Sequence, residues 1–316
     1  MKEILITPRG YANFKESYQE AFIKRGYTLN INTTGKQYDR DTFARYARRA
    51  TAIIVGVEEL DEPLLVTCED LKVIVKFGVG TDNIDLGAAE RLGIKVGRCV
   101  GSNSNAVAET ALTLMMMCAK QILPSIFSVR SGGWEKLSGF ELNGKTIGII
   151  GFGHIGQIVA KLAGAFEMNI LVYDTFPISK SVIEETRAVP SSLHEIYRSA
   201  DFITLHLPLN NETRDMISEP EFDMMKPNAC LVNTARGGIV NEEALYHALS
   251  DRKIFAAGFD VFTSEPPEDS EWVQKLVHLN NFVLTSHIAA RTEEAERNTA
   301  RIATEKTIEL LEQGGE

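Results

Sequence analysis

The sequence is poor in the residues that mark several whole classes of protein. Cysteine occurs 4 times and proline 10 times in 316 residues, and the 24 glycines follow no repeat. This composition excludes a disulfide-rich miniprotein and a collagen-like fibre. The four cysteines include no CxxC pair. We therefore interpret them as reduced core thiols, which is typical of a cytoplasmic protein.

Long apolar runs and an excess of positive charge are missing as well. The longest uncharged apolar run covers residues 111–119, well short of the roughly 18 residues that a membrane span requires. The first ten residues have only the apolar segment 4–6, so we predict neither a signal peptide nor a membrane anchor. The formal net charge of −10 disfavours nucleic acid and anionic membranes as partners.

The chain has ample apolar residues, arranged as an α/β pattern. Hydrophobic residues make up 44% of the sequence, and its length corresponds to about two domains at roughly 150 residues each. Short β-branched runs alternate with amphipathic stretches, as in βαβ units with parallel sheets. We predict an α/β protein with two doubly wound parallel-sheet domains. Strands are predicted at 4–7, 27–31, 52–55, 72–77, 95–96, 146–150, 170–173, 202–205, 230–233, 256–260 and 282–285, and two longer helices at 102–118 and 292–311.

A glycine-rich loop of the form GxGxxG follows one of these strands and opens a helical pattern. Its glycines are Gly151, Gly153 and Gly156. In dinucleotide-binding folds the first permits a tight turn, the second lets the backbone approach a pyrophosphate, and the third lets helix and strand pack closely. The positive end of the helix then faces the phosphates. Glycines in such a turn can also be purely structural, so the loop alone is weak evidence.

An acidic residue at the end of the next strand strengthens the dinucleotide interpretation. Asp174 lies 18 residues past Gly156, where a carboxylate would accept hydrogen bonds from an adenosine ribose diol. The residues 175–177 offer no arginine for a 2′-phosphate. The pattern therefore favours NAD over NADP.

Three polar residues that can carry chemistry follow strands of the second series. Arg236, Glu265 and His287 each come after a strand end, where ligands of open α/β sheets bind. An imidazole can exchange a proton with a carbinol oxygen while a hydride moves to or from nicotinamide. A neighbouring carboxylate raises the pKa of that imidazole, and an arginine can bind a substrate carboxylate through two parallel hydrogen bonds. Together the three residues predict a 2-hydroxy acid dehydrogenase.

Each of these residues also has an ordinary structural explanation when it is taken singly. A loop arginine is usually solvated, a glutamate before two prolines usually lies on the surface, and a lone histidine is often a core residue. Their joint occurrence behind a dinucleotide motif favours the catalytic interpretation. We predict no metal site, because no ligand spacing with cysteine or carboxylate is found at the other histidines, which are His154, His194, His206, His247 and His278.

At these residues the sequence resembles the D-isomer-specific 2-hydroxyacid dehydrogenase family over essentially the whole chain. The resemblance rests on the segments 148–156, 205–209, 232–238, 260–267 and 287–290. A further segment, 77–85, is similar to the substrate loop of the phosphoglycerate dehydrogenase branch. The resemblance implies an oxidoreductase that moves a hydride between NAD and C2 of a small 2-hydroxy or 2-oxo acid.

The resemblance also implies residue roles and an architecture. His287 would be the acid/base, Glu265 its partner and Arg236 the anchor of the substrate carboxylate, with backbone amides of Val79 and Gly80 also holding substrate. The implied cofactor contacts, beside the glycines of the loop, are His154, Ile155, Asp174, Thr234, Ala235 and Asp260. The implied domains are a Rossmann NAD-binding domain of residues 102–287 and a smaller flavodoxin-like substrate domain of residues 1–101 and 288–316. A homodimer through the cofactor domain is the family norm.

Two departures from the family pattern bear on the substrate. Ser286 precedes His287 where proline is common. After the strand 52–55, phosphoglycerate dehydrogenases typically present an Arg-Ser pair, whereas this chain has Glu58 and Glu59. Acidic residues where a phosphate tail would lie disfavour 3-phosphoglycerate. We therefore expect glyoxylate, hydroxypyruvate and related short acids to be preferred.

Three alternative functions remain open at this stage. The first is 3-phosphoglycerate dehydrogenase. The second is an NAD-sensing interaction protein, because corepressors that resemble this family keep the fold and much of the site. The third is oxidation of another small anion; Glu265 argues against formate, whose enzymes usually have glutamine there, while phosphite stays possible.

Overall fold

The structure, a computed structural model, describes residues 2–266 and 270–313. Pro267 of the motif 260–267 and the last three residues of the predicted C-terminal segment lie outside the described residues. The chain forms two units. Unit 1 consists of Met1–Asn103 and Arg291–Glu316, and unit 2 of Ser104–Ala290.

Unit 1 is built on a five-stranded parallel sheet with helices on both faces. Its strands β1 to β5 lie in the order β2-β1-β3-β4-β5, the order of flavodoxin-like folds. The strands are Glu3–Ile6, Thr28–Ile31, Ala50–Val55, Val73–Lys76 and Lys95–Arg98. The helices α1 to α5 are Arg9–Ala12, Lys15–Ile23, Arg40–Ala47, Glu62–Leu65 and Leu86–Arg91, and the last helix of the chain, α14, is Glu293–Glu312.

Unit 2 is built on a seven-stranded parallel sheet. Its strands β6 to β12 are Thr146–Ile150, Asn169–Tyr173, Val189–Pro190, Phe202–Leu205, Cys230–Asn233, Ala256–Phe259 and Phe282–Leu284. They lie in the order β12-β11-β10-β9-β6-β7-β8, a Rossmann arrangement whose strand order reverses beside β6. The helices α6 to α13 are Ser104–Ala119, Ile122–Arg130, His154–Ala165, Lys180–Thr186, Leu193–Ser199, Glu219–Met224, Glu242–Ser250 and Glu271–Leu276. The predicted fold class is confirmed.

The cores follow from strands whose side chains alternate between two covered faces. In unit 1, Leu5 and Ile53 pack toward α3 to α5, whereas Ile4 and Ile54 pack toward α2 and α14. The same alternation holds in the sheet of unit 2, where one face packs on α6 and α8 and the other on α10 to α13. Both faces are therefore sealed, and the strand ends are the places left for chemistry.

Helix α6 accounts for the most apolar stretch of the chain. Ten of its residues, among them Leu114 and Met115, are buried, and it packs on β10, β11 and α8. Among residues 2–266 and 270–313, no single helix is long and apolar enough to cross a membrane. Helices α6 and α7 reach that length and composition only as a pair, which is bent by 64°.

Candidate functional site

Three loops of unit 2 follow three neighbouring strands at the same edge of the sheet. Arg236 follows β10, Asp260 and Glu265 follow β11, and His287 follows β12. Because these strands are parallel and adjacent in the order β12-β11-β10, their carboxyl ends meet at one edge. The fold thus brings together three residues that are up to 51 positions apart in sequence.

The loop that carries Arg236 is shaped by the last residue of β10. The side chain of Asn233 accepts a hydrogen bond from the Ala235 amide at 3.0 Å and donates one to the Arg236 carbonyl at 2.8 Å. The next residue, Gly237, lies against the loop that carries Glu265, since a Cβ there would overlap the carbonyl of Phe262 and the amide of Thr263. The two loops are therefore in direct backbone contact.

The loop that carries His287 is anchored by Asp260, which is fully buried. One carboxylate oxygen accepts from the Thr285 hydroxyl at 2.5 Å and the Ile288 amide at 2.8 Å, and the other accepts from the Ala289 amide at 2.8 Å. His287 itself donates its amide to the Asp260 carbonyl at 3.0 Å and has a φ of 53°. A left-handed conformation is uncommon for residues other than glycine, so this network fixes an otherwise unfavourable turn.

Glu265 and His287 form a hydrogen-bonded pair. The imidazole Nδ1 lies 2.6 Å from one carboxylate oxygen of Glu265, and the other oxygen accepts from the Phe262 amide at 2.9 Å. About half of the His287 side chain is solvent-accessible, 53% by area. With Nδ1 bound to the carboxylate, Nε2 is the nitrogen left to meet a ligand. This is the geometry of an oriented acid/base.

The charges around the pair keep the imidazole protonated to higher pH. The hydrogen bond and the charge of Glu265, followed by the charge of Asp260, raise the pKa of His287, against burial and the positive charge of Arg236. Burial raises the pKa of Glu265, but the hydrogen bonds from His287 and the Phe262 amide and the charges of His287 and Arg236 outweigh it and hold that pKa below its usual value. The pair therefore favours imidazolium beside carboxylate.

The glycine-rich loop lies at the carboxyl end of β6, two strands from β10 in the same sheet. Gly151 has a φ of 95°, and a Cβ on it would overlap the His206 carbonyl. A Cβ on Gly156 would overlap the Gly151 carbonyl, whereas one on Gly153 would meet no atom within 4 Å. The open space at Gly153 lies where α8 begins without a side-chain cap. A phosphate fits there against the unpaired amides of the first helical turn.

Asp174 lies directly beside this loop, at the end of β7. One of its carboxylate oxygens accepts from the Phe152 amide at 2.6 Å and the other from the Phe176 amide at 2.9 Å. Each oxygen keeps lone-pair capacity for a further donor. A ribose diol is a suitable donor pair for a carboxylate in this position.

Two buried polar atoms at the same edge have no hydrogen-bond partner among the described residues. They are the hydroxyl oxygen of Thr234, after β10, and Nδ1 of His206, after β9. The other ring nitrogen of His206, Nε2, is hydrogen-bonded to the Thr204 hydroxyl at 3.0 Å. Burial lowers the pKa of His206 to about 3. Buried polar groups rarely stay unsatisfied, so these atoms fit a bound polar ligand such as a dinucleotide. His206 was not among the site residues predicted from the sequence, although its place after a strand in the segment 205–209 was a usable signal.

The predicted substrate residues Val79 and Gly80 belong to unit 1, in the loop after β4. Among residues 2–266 and 270–313, neither backbone amide donates a hydrogen bond, and Val79 is exposed. Both amides are therefore available to donate hydrogen bonds to an anionic ligand.

The loop after β3, which we expected to present two carboxylates, presents only one of them to solvent. Glu58 is buried, with 4% of its surface exposed, and accepts a hydrogen bond from the Thr7 hydroxyl at 2.6 Å. Lys76 and Asn83 bond backbone carbonyls of the same loop and hold it in this conformation. Glu59 is exposed. The expectation that both acidic side chains face a substrate tail was wrong for Glu58, because a buried hydroxyl donor turns it inward.

Comparison with known proteins agrees with this geometry. Residues 112–289 match the family model of the D-isomer specific 2-hydroxyacid dehydrogenase, NAD binding domain. The chain is 39% identical over 285 residues to a hydroxypyruvate reductase of Thermotoga maritima, covering 89% of this chain and 91% of that protein. It is 39% identical over 290 residues to a D-3-phosphoglycerate dehydrogenase of Archaeoglobus fulgidus, of whose length it spans 54%.

A solved structure is similar over nearly the whole chain. The D-lactate dehydrogenase of Aquifex aeolicus, complexed with NAD and lactic acid, superposes with a TM-score of 0.84 at 30% identity, covering 98% of this chain and 96% of that one. The cofactor of this protein is NAD, and its reaction is that of an oxidoreductase. The chain belongs to the family of D-isomer specific 2-hydroxyacid dehydrogenases.

Proposed function

We propose that this protein interconverts a short 2-oxo acid and its 2-hydroxy acid, with glyoxylate and hydroxypyruvate as the favoured substrates. The observation that carries the proposal is the pair of Glu265 and His287, joined at 2.6 Å at the sheet edge that also carries Arg236. An oriented acid/base next to a guanidinium suits a substrate with a carboxylate beside a carbonyl.

In the direction of reduction, bound NADH would supply the hydride for C2 of the 2-oxo acid. His287 donates the proton on Nε2 to the carbonyl oxygen, so that the C=O bond becomes a CH–OH group and the imidazole becomes neutral. Glu265 stabilises the imidazolium before the transfer. Arg236 binds the substrate carboxylate through its two-pronged guanidinium and orients the carbonyl. The oxidation is the reverse, with neutral His287 taking the proton.

The remaining assignments extend this proposal. We assign NAD binding to residues 102–287, whose bounds lie within three residues of those of unit 2, and substrate binding to residues 1–101 and 288–316. The Val79 and Gly80 amides would bind the substrate carboxylate. The unsatisfied Thr234 hydroxyl and the open space at Gly153 support a cofactor here. Its contacts are Gly151, Gly153, His154, Ile155, Gly156, Asp174, Thr234, Ala235 and Asp260.

The substrate class is tested by a panel of 2-oxo acids. We expect NADH oxidation with glyoxylate and hydroxypyruvate to exceed that with pyruvate, 2-oxobutyrate and 3-phosphohydroxypyruvate. The similarity to a phosphoglycerate dehydrogenase makes 3-phosphoglycerate the second candidate, and the inward orientation of Glu58 removes one of two charges that disfavour it. A preference for the phosphorylated acid would decide for that candidate.

The pH dependence of reduction is a first prediction. Reduction needs protonated His287, whose pKa is raised chiefly by Glu265, so kcat/KM should hold at low pH and fall as the pH rises through that raised pKa. Glu265→Gln removes the charge that favours imidazolium, and the alkaline limb should move to lower pH by about one unit or more. Profiles of kcat/KM for both proteins test this. An unmoved limb would mean that Glu265 does not set the protonation of His287.

The role of Asp174 is a second prediction. Asp174→Ala removes a charged acceptor for the ribose, and a lost charge-assisted hydrogen bond of about 1.5–3 kcal/mol corresponds to a roughly 10- to 100-fold weaker NADH complex. The turnover number at saturating NADH should change little. Affinities for NADH and NADPH measured by calorimetry should also converge, since the carboxylate disfavours a 2′-phosphate. An unchanged NADH affinity would contradict the assignment.

We further propose a cytoplasmic homodimer. The four cysteines are free and buried, which suits a reducing compartment. Helix α7 and the following loop expose the apolar side chains Ile126, Phe127 and Trp134, the last with 77% of its surface accessible. Exposed apolar residues that occur close together in sequence are a feature of many protein interfaces. Sedimentation velocity should give a dimer that Phe127→Glu weakens, and a monomeric wild-type protein would contradict the proposal.

A further inference from the structure

Glu242, in the first turn of α12, contacts the segment that carries Glu265 at two separate places. One carboxylate oxygen accepts from the Thr263 amide at 2.8 Å, and the other accepts from the Ser270 hydroxyl at 3.0 Å. Thr263 and Ser270 lie on opposite sides of Glu265 in sequence. A single side chain thus binds both flanks of the loop that orients the imidazole.

The support beneath Glu242 is rigid. Helix α12 begins at Glu242, and its cap Asn241 accepts a hydrogen bond from the Ala244 amide at 2.9 Å. The inner face of the helix is fixed by the fully buried Leu245 and by Leu249 in the core of unit 2. A carboxylate held on such a helix gives the loop a fixed point of attachment.

The loop needs an attachment of this kind because most of it is irregular. Residues 260–266 contain no helix or strand. Within the loop, the Glu265 carboxylate accepts from the Phe262 amide, and the Ser264 hydroxyl donates to the Pro266 carbonyl. The loop also rests against Gly237. The hydrogen bonds that Glu242 accepts therefore give the loop a further attachment besides this contact.

We propose that Glu242 is a positioning residue for the acid/base pair. By binding both Thr263 and Ser270, it fixes the segment that carries Glu265 and thereby sets the contact between the Glu265 carboxylate and Nδ1 of His287. This inference rests on the proposed function of that pair. Glu242 touches neither ring nor carboxylate of the pair through any hydrogen bond among the described residues. Its effect is therefore geometric.

Two substitutions at Glu242 distinguish the effect of its charge from the effect of its side-chain length. The charged groups with the largest effects on the pKa of His287 are Glu265, Asp260 and Arg236, and Glu242 is not among them. Glu242→Gln keeps the length of the side chain, an oxygen for the Thr263 amide and a second polar atom for Ser270, but loses the charge. Glu242→Asp keeps the charge but is shorter by one methylene group, so it cannot reach both flanks.

The test is the titration of the His287 ring, followed by NMR of the protein labelled in its histidines. The His287 signal is identified by its absence from His287→Asn. We expect Glu242→Asp to lower the pKa of His287 by about half a unit, a roughly threefold change in its proton affinity, and Glu242→Gln to titrate as the wild type does. Glu243→Gln is the matched control, because Glu243 is exposed in the same helical turn.

The positioning role of Glu242 is contradicted if His287 titrates in Glu242→Asp as it does in the wild type. It is also contradicted if Glu242→Gln shifts the pKa of His287 as far as Glu242→Asp does. The second result would mean that the charge, and not the contact with both flanks, matters. The titration needs no substrate, so it is independent of the proposed reaction. If the proteins titrate as predicted but the wild type turns over no 2-oxo acid, the proposed function is contradicted and the positioning role of Glu242 still holds.

Discussion

Replacing His287 by asparagine should lower kcat for 2-oxo acid reduction by about 10²- to 10⁴-fold, the range in which a positioned proton donor contributes. Asparagine cannot supply a proton to the carbonyl oxygen. The affinity for NADH should stay within about twofold, because the proposed phosphate and ribose contacts belong to other loops. Steady-state turnover and NADH binding by calorimetry measure the two effects separately.

The control for this substitution is another histidine of the same unit. His278 is exposed and lies after α13, outside the loops that form the site, so His278→Asn should retain wild-type kcat. If His287→Asn turned over within about threefold of the wild type, the residue could not be the acid/base. A parallel loss of NADH affinity would instead indicate that the loop after β12 had moved.

Replacing Arg236 by alanine should cause the second large loss, in kcat/KM for the 2-oxo acid. A guanidinium that makes two charge-assisted hydrogen bonds of about 1.5–3 kcal/mol each contributes a factor of roughly 10² to 10⁴. Arg236→Lys should recover only part of it, because an ammonium group keeps the charge but not the parallel donors. The measurement is kcat/KM for hydroxypyruvate in the three proteins.

A shift in the pH profile is a second expected effect of replacing Arg236, and a purely structural role for this residue would not produce it. The charge of Arg236 lowers the pKa of His287, so its removal should raise that pKa and carry the alkaline limb of reduction to higher pH. This shift is opposite in sign to the one expected for Glu265→Gln. If Arg236→Ala and Arg236→Lys retained wild-type kcat/KM, the carboxylate would have to be bound elsewhere.

The strands could be predicted because their short runs of β-branched and other apolar residues are the segments that the two sheets bury. Every predicted strand of the sheets of unit 1 and unit 2 is found, with bounds that differ by at most two residues, as β3 does by beginning at Ala50. The edge strand β8, Val189–Pro190, was missed. It has only two residues and both are exposed, so it carries neither a periodic nor an apolar signal.

The candidate site was predictable to the extent that topology places strand ends together. A parallel sheet aligns the carboxyl ends of its strands. Arg236, Glu265 and His287 could therefore be predicted to lie together before any distance between them was known. The sequence could not show that Asp260 is fully buried and holds the His287 loop, or that Glu242 binds the Glu265 loop. Both contacts depend on loop conformations that have no periodicity.

The orientation of Glu58 illustrates the same limit. A glutamate in a loop is mostly exposed, and this expectation led to the interpretation of Glu58 and Glu59 as equivalent. The hydroxyl of Thr7, at the end of the neighbouring strand β1, provides a buried donor at 2.6 Å and separates the two. Only the paired strands reveal that donor, because the two partners are 51 positions apart in sequence.

In the proposed reaction, C2 receives a hydride from the cofactor and its oxygen receives a proton from His287. The most direct measurement uses NADH that carries deuterium at the transferable position of nicotinamide C4, with hydroxypyruvate as the acceptor, and analyses the product by NMR and chiral chromatography. We expect D-glycerate with deuterium on C2, formed by the wild type and hardly at all by His287→Asn. Glycerate without deuterium at C2, or equal formation by the variant, would contradict the proposed reaction.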